Sequence, residues 1–349
     1  MAVGGGAPVS VQTMTKTDTR DVAATLAQIR EVEALGCDIV RLAVPDEEAA
    51  KALAGIRRGT GMPLVADIHF DHRLALIAIE AGVDGLRLNP GNIGGRDRVE
   101  EVVKAAAGRR IPIRIGVNSG SLEKDLLDRF RGATPEAMVE SAMRHIGILE
   151  SLGYHEIKVS VKASDVRRTV EAYRLLAKRT AYPLHLGVTE AGTLVAGTVR
   201  SSVAMGILLA EGIGDTIRVS LTSTPMQEVR VGLELLRSLG MRDPGPGVIS
   251  CPTCGRIQVD VVGVAESVES ALEHYYRENP KAPRPVVAVM GCAVNGPGEA
   301  READIALAGG RDKFALYVGG VQVKVVPQAD AVQAVMDAVR VWRKPTAVN

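Results

Sequence analysis

The chain has 349 residues, enough for one large domain or two domains of ordinary size. Its 42 Lys and Arg residues nearly balance 41 Asp and Glu residues, which argues against the basic charge typical of general nucleic-acid binding. Hydrophobic residues make up 46% of the chain but aromatic residues only 3%, so Val, Ile, Leu and Ala must build the core. This composition favours parallel β/α architecture, whose buried strands are rich in branched aliphatic residues.

Eight short apolar runs, each ending in polar residues, predict the strands of the first 240 residues, with amphipathic helical patterns between them. The runs are Val9–Met14, Asp38–Val44, Pro63–His69, Gly85–Asn89, Ile111–Asn118, Glu156–Lys162, Pro183–Glu190 and Asp215–Thr222. Thr134-Pro135-Glu136 predicts the start of one of the helices. Eight strand–helix units over about 240 residues match a (β/α)8 TIM barrel. The lack of a G-x-G-x-x-G motif after the first strand argues against an open doubly wound sheet.

The segment 241–247 contains two prolines and two glycines, a composition that predicts a linker. We expect a barrel domain over residues 1–240 and an α+β domain over residues 248–349, each of plausible domain size. In the second domain, strands are predicted at Ile257–Val262, Val286–Met290, Ala303–Ala308, Phe314–Val318 and Gln322–Val326, and helices at Ser267–Tyr276 and Ala329–Trp342.

Four cysteines are too few for a disulfide framework in a chain of this length, and their C-x-x-C spacing favours metal or redox use in a reducing compartment. The first six residues show no basic region followed by an apolar run, so no signal peptide is predicted. No apolar stretch approaches the roughly 20 residues that cross a membrane. We therefore expect a soluble cytoplasmic protein that binds neither membrane nor nucleic acid.

Basic residues recur towards the carboxyl ends of the predicted strands, where the active site of a TIM barrel lies. They are Arg41, Arg87, Arg114, Lys158, Lys162 and Arg218, and Asn118 and Ser220 end two of the same strands. A single arginine there is usually explained by an ion pair with a nearby carboxylate. Several cations in one space require a counter-anion, so we predict a phosphate or diphosphate site. Lys162 is favoured over Lys158, which lies earlier in its strand.

Asp67 and Glu190 are the carboxylates best placed for proton transfer at the barrel mouth. An ion pair with one of the arginines would explain Asp67 equally well, and a solvated surface position would explain Glu190. His185 lies in mid-strand and is interpreted as a hydrogen-bonded core histidine, whereas His145 is assigned to the surface or to a helix. Cys37 is interpreted as a small buried apolar residue.

The strongest chemical signal is the pair of loops that carry Cys251-Pro252-Thr253-Cys254 and Cys292. A thioredoxin-like role for C-x-x-C needs a neighbouring βαβ pattern, which residues 246–250 do not indicate. Thiolates favour an iron–sulfur cluster or zinc, and a structural zinc site remains the alternative. Because a [4Fe-4S] cluster is normally held by four cysteines, three would leave one iron for another ligand. Glu299 is the nearest carboxylate in the following glycine-rich loop, and Glu302 is the next.

Nine stretches along nearly the whole chain resemble the 4-hydroxy-3-methylbut-2-enyl diphosphate synthase family, also called GcpE or IspG. They are Val11–Thr15, Val65–Phe70, Leu86–Gly94, Arg114–Asn118, Lys158–Asp165, Gly187–Gly192, Arg218–Ser220, Cys251–Cys254 and Asn295–Glu299. Thr13 stands where the family usually has Ser. The large extra domain of the plant form is absent, so the chain resembles the bacterial two-domain type.

The resemblance implies a TIM barrel followed by a [4Fe-4S] domain, with Cys251, Cys254, Cys292 and Glu299 as the cluster ligands. It implies a homodimer in which the cluster domain of one subunit closes over the barrel mouth of the other. The substrate would be 2-C-methyl-D-erythritol 2,4-cyclodiphosphate, opened and dehydroxylated with two electrons from reduced flavodoxin or ferredoxin. Its diphosphate would lie among Arg41, Arg87, Arg114, Asn118, Lys162, Arg218 and Ser220. Glu190 would donate a proton, Asp67 would lie near the substrate hydroxyls, and a substrate oxygen could replace Glu299 on the cluster.

Two other functions are compatible with parts of the pattern. One is a phosphate-binding barrel lyase or transferase that carries a structural zinc domain. The other is a binding module with a cluster or zinc but without turnover, which would not need polar residues at nearly every strand end. Iron and acid-labile sulfide in anaerobically purified protein would favour the reductase over both, whereas zinc in a colourless protein would exclude it.

Overall fold

A computed structural model describes residues 1–242, 247–279, 281–292, 298 and 303–343. The chain divides into two compact units, Met1–Arg242 and Asp243–Asn349, and each is described by itself. Residues 243–246, which form most of the predicted linker, lie outside the described ranges.

The first unit is a barrel of eight parallel strands. They are β1 (Ser10–Met14), β2 (Ile39–Ala43), β3 (Leu64–Asp67), β4 (Gly85–Arg87), β5 (Ile113–Asn118), β6 (Ile157–Lys162), β7 (His185–Leu186) and β8 (Thr216–Ile217). Neighbours pair in the order β6-β5-β4-β3-β2-β1-β8-β7, and a single parallel bridge between Val159 and Leu184 joins β6 to β7. The predicted TIM barrel is confirmed, although β7 and β8 have only two residues each where longer strands were predicted.

Helices surround this barrel. They are α1 (Val22–Ala34), α2 (Glu47–Gly59), α3 (His72–Glu80), α4 (Arg96–Arg109), α5 (Lys124–Phe130), α6 (Pro135–Glu150), α7 (Val166–Ala177), α8 (Leu194–Ala210) and α9 (Pro225–Ser238). Several begin at a side chain that accepts a hydrogen bond from the first turn, as Asp46 does in α2 and Asp165 in α7. Thr134 caps α6 with Pro135 at the first helical position, as predicted.

Alternation along the strands separates the core from the site. Successive side chains of a strand point to opposite faces. Leu42, Ile115 and Val161 are fully buried members of the apolar core between sheet and helices. Their strand neighbours, such as Arg41 and Arg114, therefore point towards the barrel interior. Each of these strands thus contributes alternate residues to the apolar core on one face and to the candidate site on the other.

The second unit contains a five-stranded sheet within its described residues. The strands are β9 (Val248–Ser250), β10 (Val287–Met290), β11 (Ile305–Gly310), β12 (Lys313–Val318) and β13 (Val321–Pro327), and the helices are α10 (Val261–Glu278) and α11 (Ala331–Val341). The order is β13-β12-β11-β10-β9; β9, β10 and β11 are parallel, whereas β12 and β13 are antiparallel to their neighbours. Both helices contribute to an apolar core with the sheet, which includes the buried Phe314.

Two predictions for the second unit are wrong. Residues 257–262 do not form a strand, because the Asp260 carboxylate accepts a 2.9 Å hydrogen bond from the Gly263 N–H and starts α10 at Val261. The short strand β9 was not predicted, and it pairs in parallel with β10. The elements β9, α10 and β10 therefore form a βαβ unit around the C-x-x-C motif, so the sequence-based argument against such a unit fails. No described helix is long and apolar enough to cross a membrane.

Candidate active site

Basic side chains from neighbouring strands converge inside the barrel. The buried arginines are Arg41 in the middle of β2, Arg87 at the end of β4 and Arg114 near the start of β5. The strand register explains the cluster, because Arg87 is the cross-strand partner of both Asp67 and Arg114. Adjacent strands therefore place these side chains side by side on the inner face, as the sequence predicted.

Asp67 is the counter-ion of two of these arginines. Its Oδ1 lies 3.3 Å from Arg87 Nη1, and its Oδ2 lies 3.6 Å from Arg41 Nε. Burial opposes ionisation of Asp67, but Arg41, a hydrogen bond with His69 and Arg87 outweigh it and hold the pKa well below its usual range. Asp67 is therefore an ionised hydrogen-bond acceptor at neutral pH, and the ion-pair explanation of this residue is confirmed.

Arg114 is buried with donors that lack acceptors. Its Nη1 donates a 2.7 Å hydrogen bond to Ser160 Oγ, whereas its Nε and Nη2 have no hydrogen-bond partner among the described residues. Burial, together with the charges of Arg41 and Arg87, lowers the pKa of Arg114. Buried donors without partners are costly in a folded protein, and an anion with several oxygens would satisfy them.

Glycines leave room for two of the cations. A Cβ atom on Gly116 would lie 2.7 Å from Arg87 Nε, and one on Gly187 would lie 2.8 Å from both Lys162 Nζ and the Arg218 carbonyl oxygen. Any larger residue at Gly187 would displace the Lys162 side chain, because the Arg218 carbonyl oxygen on its other side belongs to the backbone. Burial, followed by the charges of Arg114 and Arg218, lowers the pKa of Lys162 well below its ordinary value. Lys162 is thus held beside Arg218 in a space that favours a bound negative charge.

Two histidines of the barrel unit, His185 and His145, are buried. His185 is buried as expected, but its Nε2 has no hydrogen-bond partner in the described parts of the chain. Burial, then the charges of Lys162 and Arg114, holds its pKa well below the ordinary value, so the ring is neutral. His145 lies in α6, in agreement with the helix alternative of its assignment. It is buried, and its Nδ1 accepts a 3.2 Å hydrogen bond from the Gly91 N–H.

A cleft of about 330 Å³ opens beside the ends of β1, β7 and β8. It brings together three predicted residues, Glu190, Arg218 and Ser220. Glu190 is exposed and has a φ of 52°, a left-handed backbone conformation that is unfavourable for a residue with a Cβ atom. Burial, followed by the charge of Arg41, lowers the pKa of Arg218 to about 10. Asn118 ends β5 opposite Lys162 on β6.

Sequence reasoning missed two residues of this cleft, Lys16 and Glu228. Glu228 follows Thr224 and Pro225, so its position suggests an ordinary exposed carboxylate in the first turn of a helix. The structure instead buries it, and Lys16 Nζ lies 3.2 Å from its Oε1. No spacing in the sequence indicates this contact, because the two residues are more than two hundred positions apart.

Lys158 offers a pH-dependent test of charge burial in the barrel. Burial, followed by the charge of Arg114, lowers the pKa of Lys158 from 10.5 to about 8. Below about pH 8 the folded protein carries a charged amine that the fold disfavours, and this cost disappears as the pH rises from about 8 to about 10.5. We expect Lys158→Met to raise the free energy of unfolding near neutral pH, with a gain over the wild type that shrinks above about pH 8.

Urea unfolding near neutral pH and at about pH 10 would measure this difference. Lys104→Met, which changes an exposed lysine on α4, is the matched control and should show no such trend. A stability difference for Lys158→Met that is the same at both pH values would contradict the prediction.

The cysteines of the second unit lie near the carboxyl end of its parallel strands. Cys251 directly follows β9, and Cys292 lies two residues after β10, its parallel neighbour. The Gly291 N–H donates a 3.2 Å hydrogen bond to Cys251 Sγ. The exposed Cys254 has its pKa lowered by hydrogen bonds from the backbone and side chain of Arg256. Thiols in this arrangement have the donor chemistry of an iron–sulfur or zinc site.

The described residues do not by themselves complete a metal site. Within them, no three His, Cys, Asp or Glu side chains are close enough together to hold a metal ion. Glu299 and Glu302, the two carboxylates considered as a fourth ligand, lie outside the described residues. Cys37 is buried in the barrel unit, as predicted, and burial raises its pKa to about 12, as expected for a small buried apolar residue.

Comparison with known proteins gives a match over almost the whole chain. The GcpE TIM-barrel domain matches residues 1–233, and the GcpE protein C-terminal domain matches residues 247–341. The chain belongs to the GcpE family. The resemblance inferred from the sequence motifs is thereby confirmed, and the two family domains lie in the barrel unit and the α+β unit respectively.

Two relatives show how close this GcpE-family chain is to named proteins. It is 59% identical to the 4-hydroxy-3-methylbut-2-en-1-yl diphosphate synthase (flavodoxin) of Geobacter sulfurreducens, over 96% of this chain and 93% of the relative. It is 58% identical to the protein of the same name from Lawsonia intracellularis, over 95% of this chain and 90% of the relative. Among solved structures, a dihydropteroate synthase from Stenotrophomonas maltophilia has a TM-score of 0.49 and 13% identity, over 67% of this chain and 94% of that chain.

Proposed function

We propose that this GcpE-family protein converts 2-C-methyl-D-erythritol 2,4-cyclodiphosphate to 4-hydroxy-3-methylbut-2-enyl diphosphate in the non-mevalonate isoprenoid pathway. Two electrons and a proton are consumed, a ring C–O bond to the diphosphate breaks, and a hydroxyl leaves as water. The relatives at 58–59% identity are named for this diphosphate product. The observation that carries the proposal is the buried Arg114, whose donors without partners among the described residues suit an anion in the barrel mouth.

The barrel residues bind and orient this substrate. Arg41, Arg87, Arg114, Lys162 and Arg218 neutralise the diphosphate, and Asn118 and Ser220 add uncharged hydrogen bonds. The arginines alone outnumber the two buried carboxylates Asp67 and Glu228, so an excess of positive charge faces the ligand. Arginine suits this task because its planar donors match phosphate oxygens in pairs.

Asp67 and Glu190 have different roles in the proposed reaction. Because Asp67 is held ionised, it accepts hydrogen bonds from the substrate hydroxyls and fixes the ring. Glu190 lies at the exposed rim of the cleft, where it can exchange protons with water. Glu190 therefore donates the proton with which the hydroxyl leaves.

We assign a [4Fe-4S] cluster to the second unit, with Cys251, Cys254, Cys292 and Glu299 as its ligands. When bound, such a cluster would supply single electrons to the substrate, and Glu299 would be its exchangeable ligand. The cysteines that would hold it follow adjacent strands, and Cys251 Sγ accepts a hydrogen bond from the Gly291 N–H. Reduced flavodoxin is the proposed electron donor because the relatives carry it in their names, and ferredoxin is the alternative.

Anaerobic purification followed by metal analysis and a turnover assay tests this function. We expect iron and acid-labile sulfide in the protein, and formation of the open diphosphate with a low-potential chemical reductant. Zinc in place of iron would favour a barrel lyase or transferase with a structural metal. A fully loaded cluster without turnover of the cyclic diphosphate would reject the proposed reaction.

A homodimer is proposed from an exposed apolar stripe on α8. Val195, Val199 and Val203 are 75%, 57% and 46% exposed at a spacing of four residues, which places them on one helix face. Exposed apolar stripes of this kind commonly mark protein interfaces, and most oligomers are symmetric dimers of one chain.

We therefore expect Val199→Asp to convert a dimer into a monomer, because it would bury two carboxylates at a self-complementary contact. Light scattering after size-exclusion chromatography would measure the mass. Val341→Asp changes another exposed valine, at the end of α11, and should leave the dimer intact. A variant at Val199 that keeps the dimeric mass would place the interface elsewhere.

A further inference from the structure

Glu228 is a buried carboxylate in the first turns of α9, and its side chain is 1% exposed. Thr13 Oγ1 donates a 2.7 Å hydrogen bond to its Oε2, and the Leu221 N–H donates a 3.0 Å bond to its Oε1. Two cations are also close, with Lys16 Nζ at 3.2 Å and Arg218 Nη2 at 3.9 Å. A buried carboxylate needs a counter-charge, so these two cations compete for it.

Lys16 pairs with Glu228 and is also held by backbone carbonyl groups. An ammonium group has three N–H donors. Lys16 Nζ contacts the Glu228 carboxylate, donates a 2.8 Å hydrogen bond to the Leu221 carbonyl oxygen, and donates a further bond to the Ser223 carbonyl oxygen. These contacts direct the Lys16 ammonium group towards the protein, and they tie the segment after β1 to the segment after β8.

Arg218 is in the opposite situation. It lines the cleft together with Glu190 and Ser220, and its buried Nε has no hydrogen-bond partner in the described chain. Its distance of 3.9 Å from Glu228 is too long for a hydrogen bond, so its guanidinium is only loosely held by that carboxylate. Both cations line the cleft, but Arg218 is the one with a buried donor that has no partner in the described chain.

We propose that Lys16 is a positioning residue that neutralises Glu228 and thereby leaves Arg218 available to the anionic substrate. The proposal rests on the proposed function, to which it adds a residue that acts through Arg218. Without Lys16, Arg218 would be the remaining cation beside a buried carboxylate and would turn towards it. The cleft would then lose a phosphate ligand although Arg218 itself is unchanged.

Calorimetric titration of the cluster-loaded full-length protein with inorganic diphosphate tests this arrangement. Lys16→Met keeps the apolar stem but removes the charge. We expect it to bind diphosphate about 10-fold more weakly or worse, because the complex would lose one charge-assisted hydrogen bond from Arg218. Lys16→Arg keeps a cation and should bind within about 3-fold of the wild type. The double variant Lys16→Met/Glu228→Gln removes both charges and should recover affinity to within about 3-fold, since Arg218 is no longer drawn away.

Recovery in the double variant separates this role from a merely structural one. If Lys16 only ties two segments together, the double variant will bind no better than Lys16→Met, and the proposal is overturned. Equal binding by the wild type and Lys16→Met, or no binding of diphosphate by the wild type, overturns it as well. Melting temperatures of all variants would confirm that the differences are measured on folded protein.

Turnover provides the second readout. Lys16→Met is expected to raise KM for the cyclic diphosphate by about the same factor as it weakens diphosphate binding, with a smaller change in kcat, because Lys16 does not touch the reacting atoms. A change confined to kcat would contradict the proposal. A wild-type protein that binds diphosphate but does not turn over the cyclic diphosphate would reject the proposed function and leave the assignment of Lys16 standing.

Discussion

Replacement of Arg114 by methionine is expected to lower kcat/KM for the cyclic diphosphate strongly while leaving the barrel folded. Arg114 is 4% exposed, and two of its nitrogens have no hydrogen-bond partner among the described residues. In the proposed complex these buried donors bind the diphosphate, and each lost charge-assisted hydrogen bond typically costs about 1.5–3 kcal/mol, so two of them cost about 10²-fold or more in affinity. We expect kcat/KM to fall by about that factor, with most of the loss in substrate affinity.

The free energy of unfolding of Arg114→Met should not fall together with its kcat/KM. Arg41 and Arg87 add repulsion to a guanidinium that burial already disfavours, as the lowered pKa of Arg114 indicates. An apolar side chain of similar length removes that cost, so the free energy of unfolding should be unchanged or higher in Arg114→Met. Thermal unfolding of the variant without substrate would measure it.

Arg174→Met is the matched control, because Arg174 is 45% exposed and pairs with Glu211 on the barrel surface. This variant should retain activity and lose little stability. An Arg114→Met protein that unfolds, or one that binds the cyclic diphosphate as tightly as the wild type, would contradict the anion-site assignment.

Replacement of Cys254 by serine is expected to abolish the cluster and all turnover. Cys254 is exposed, and Arg256 favours its thiolate form, so its chemistry is that of a ligand rather than of a core residue. Serine keeps the size of the side chain but is a poor ligand for iron in this setting. We expect iron, acid-labile sulfide and the visible absorption of the cluster to fall to background.

Cys37→Ala is the control for this experiment, since the buried Cys37 lies in the barrel core. It should keep its full iron content with a modest loss of stability. The same assay applies to Glu299→Ala, which should keep the fold but lose cluster integrity or turnover. Full activity in Glu299→Ala would refute its assignment as a ligand, and full iron content in Cys254→Ser would refute that of the cysteine.

The inner face of the barrel could be predicted because it depends on local rules. Alternation along a strand places Arg114 and Ser160 inside whenever Ile115 and Val161 are outside. The carboxyl ends of parallel strands meet at one end of a barrel, so the cations could be grouped before any contact was known. The ion pair of Asp67 with these arginines was one of two explanations that the sequence left open, and the structure shows it.

Contacts between distant segments could not be predicted in this way. The pairing of Lys16 with Glu228 depends on the pairing of β1 with β8, and no sequence pattern around either residue predicts it. The strand β9 was missed because three residues carry too little pattern, and residues 257–262 were misassigned because valines suit a strand as well as a buried helix face. The hydrogen bond from the Gly263 N–H to the Asp260 side chain starts a helix at Val261, so the helix forms instead of the strand.

The weakest part of the barrel wall coincides with the proposed ligand site. A single bridge joins β6 to β7, and β7 pairs with β8 over only two residues. Lys162 belongs to β6 and Arg218 follows β8, so an anion held by both would cross-link the two sides of this gap. Cohesion of the barrel would then depend in part on its own substrate, and amide hydrogens around His185 should exchange with solvent more slowly once the substrate is bound.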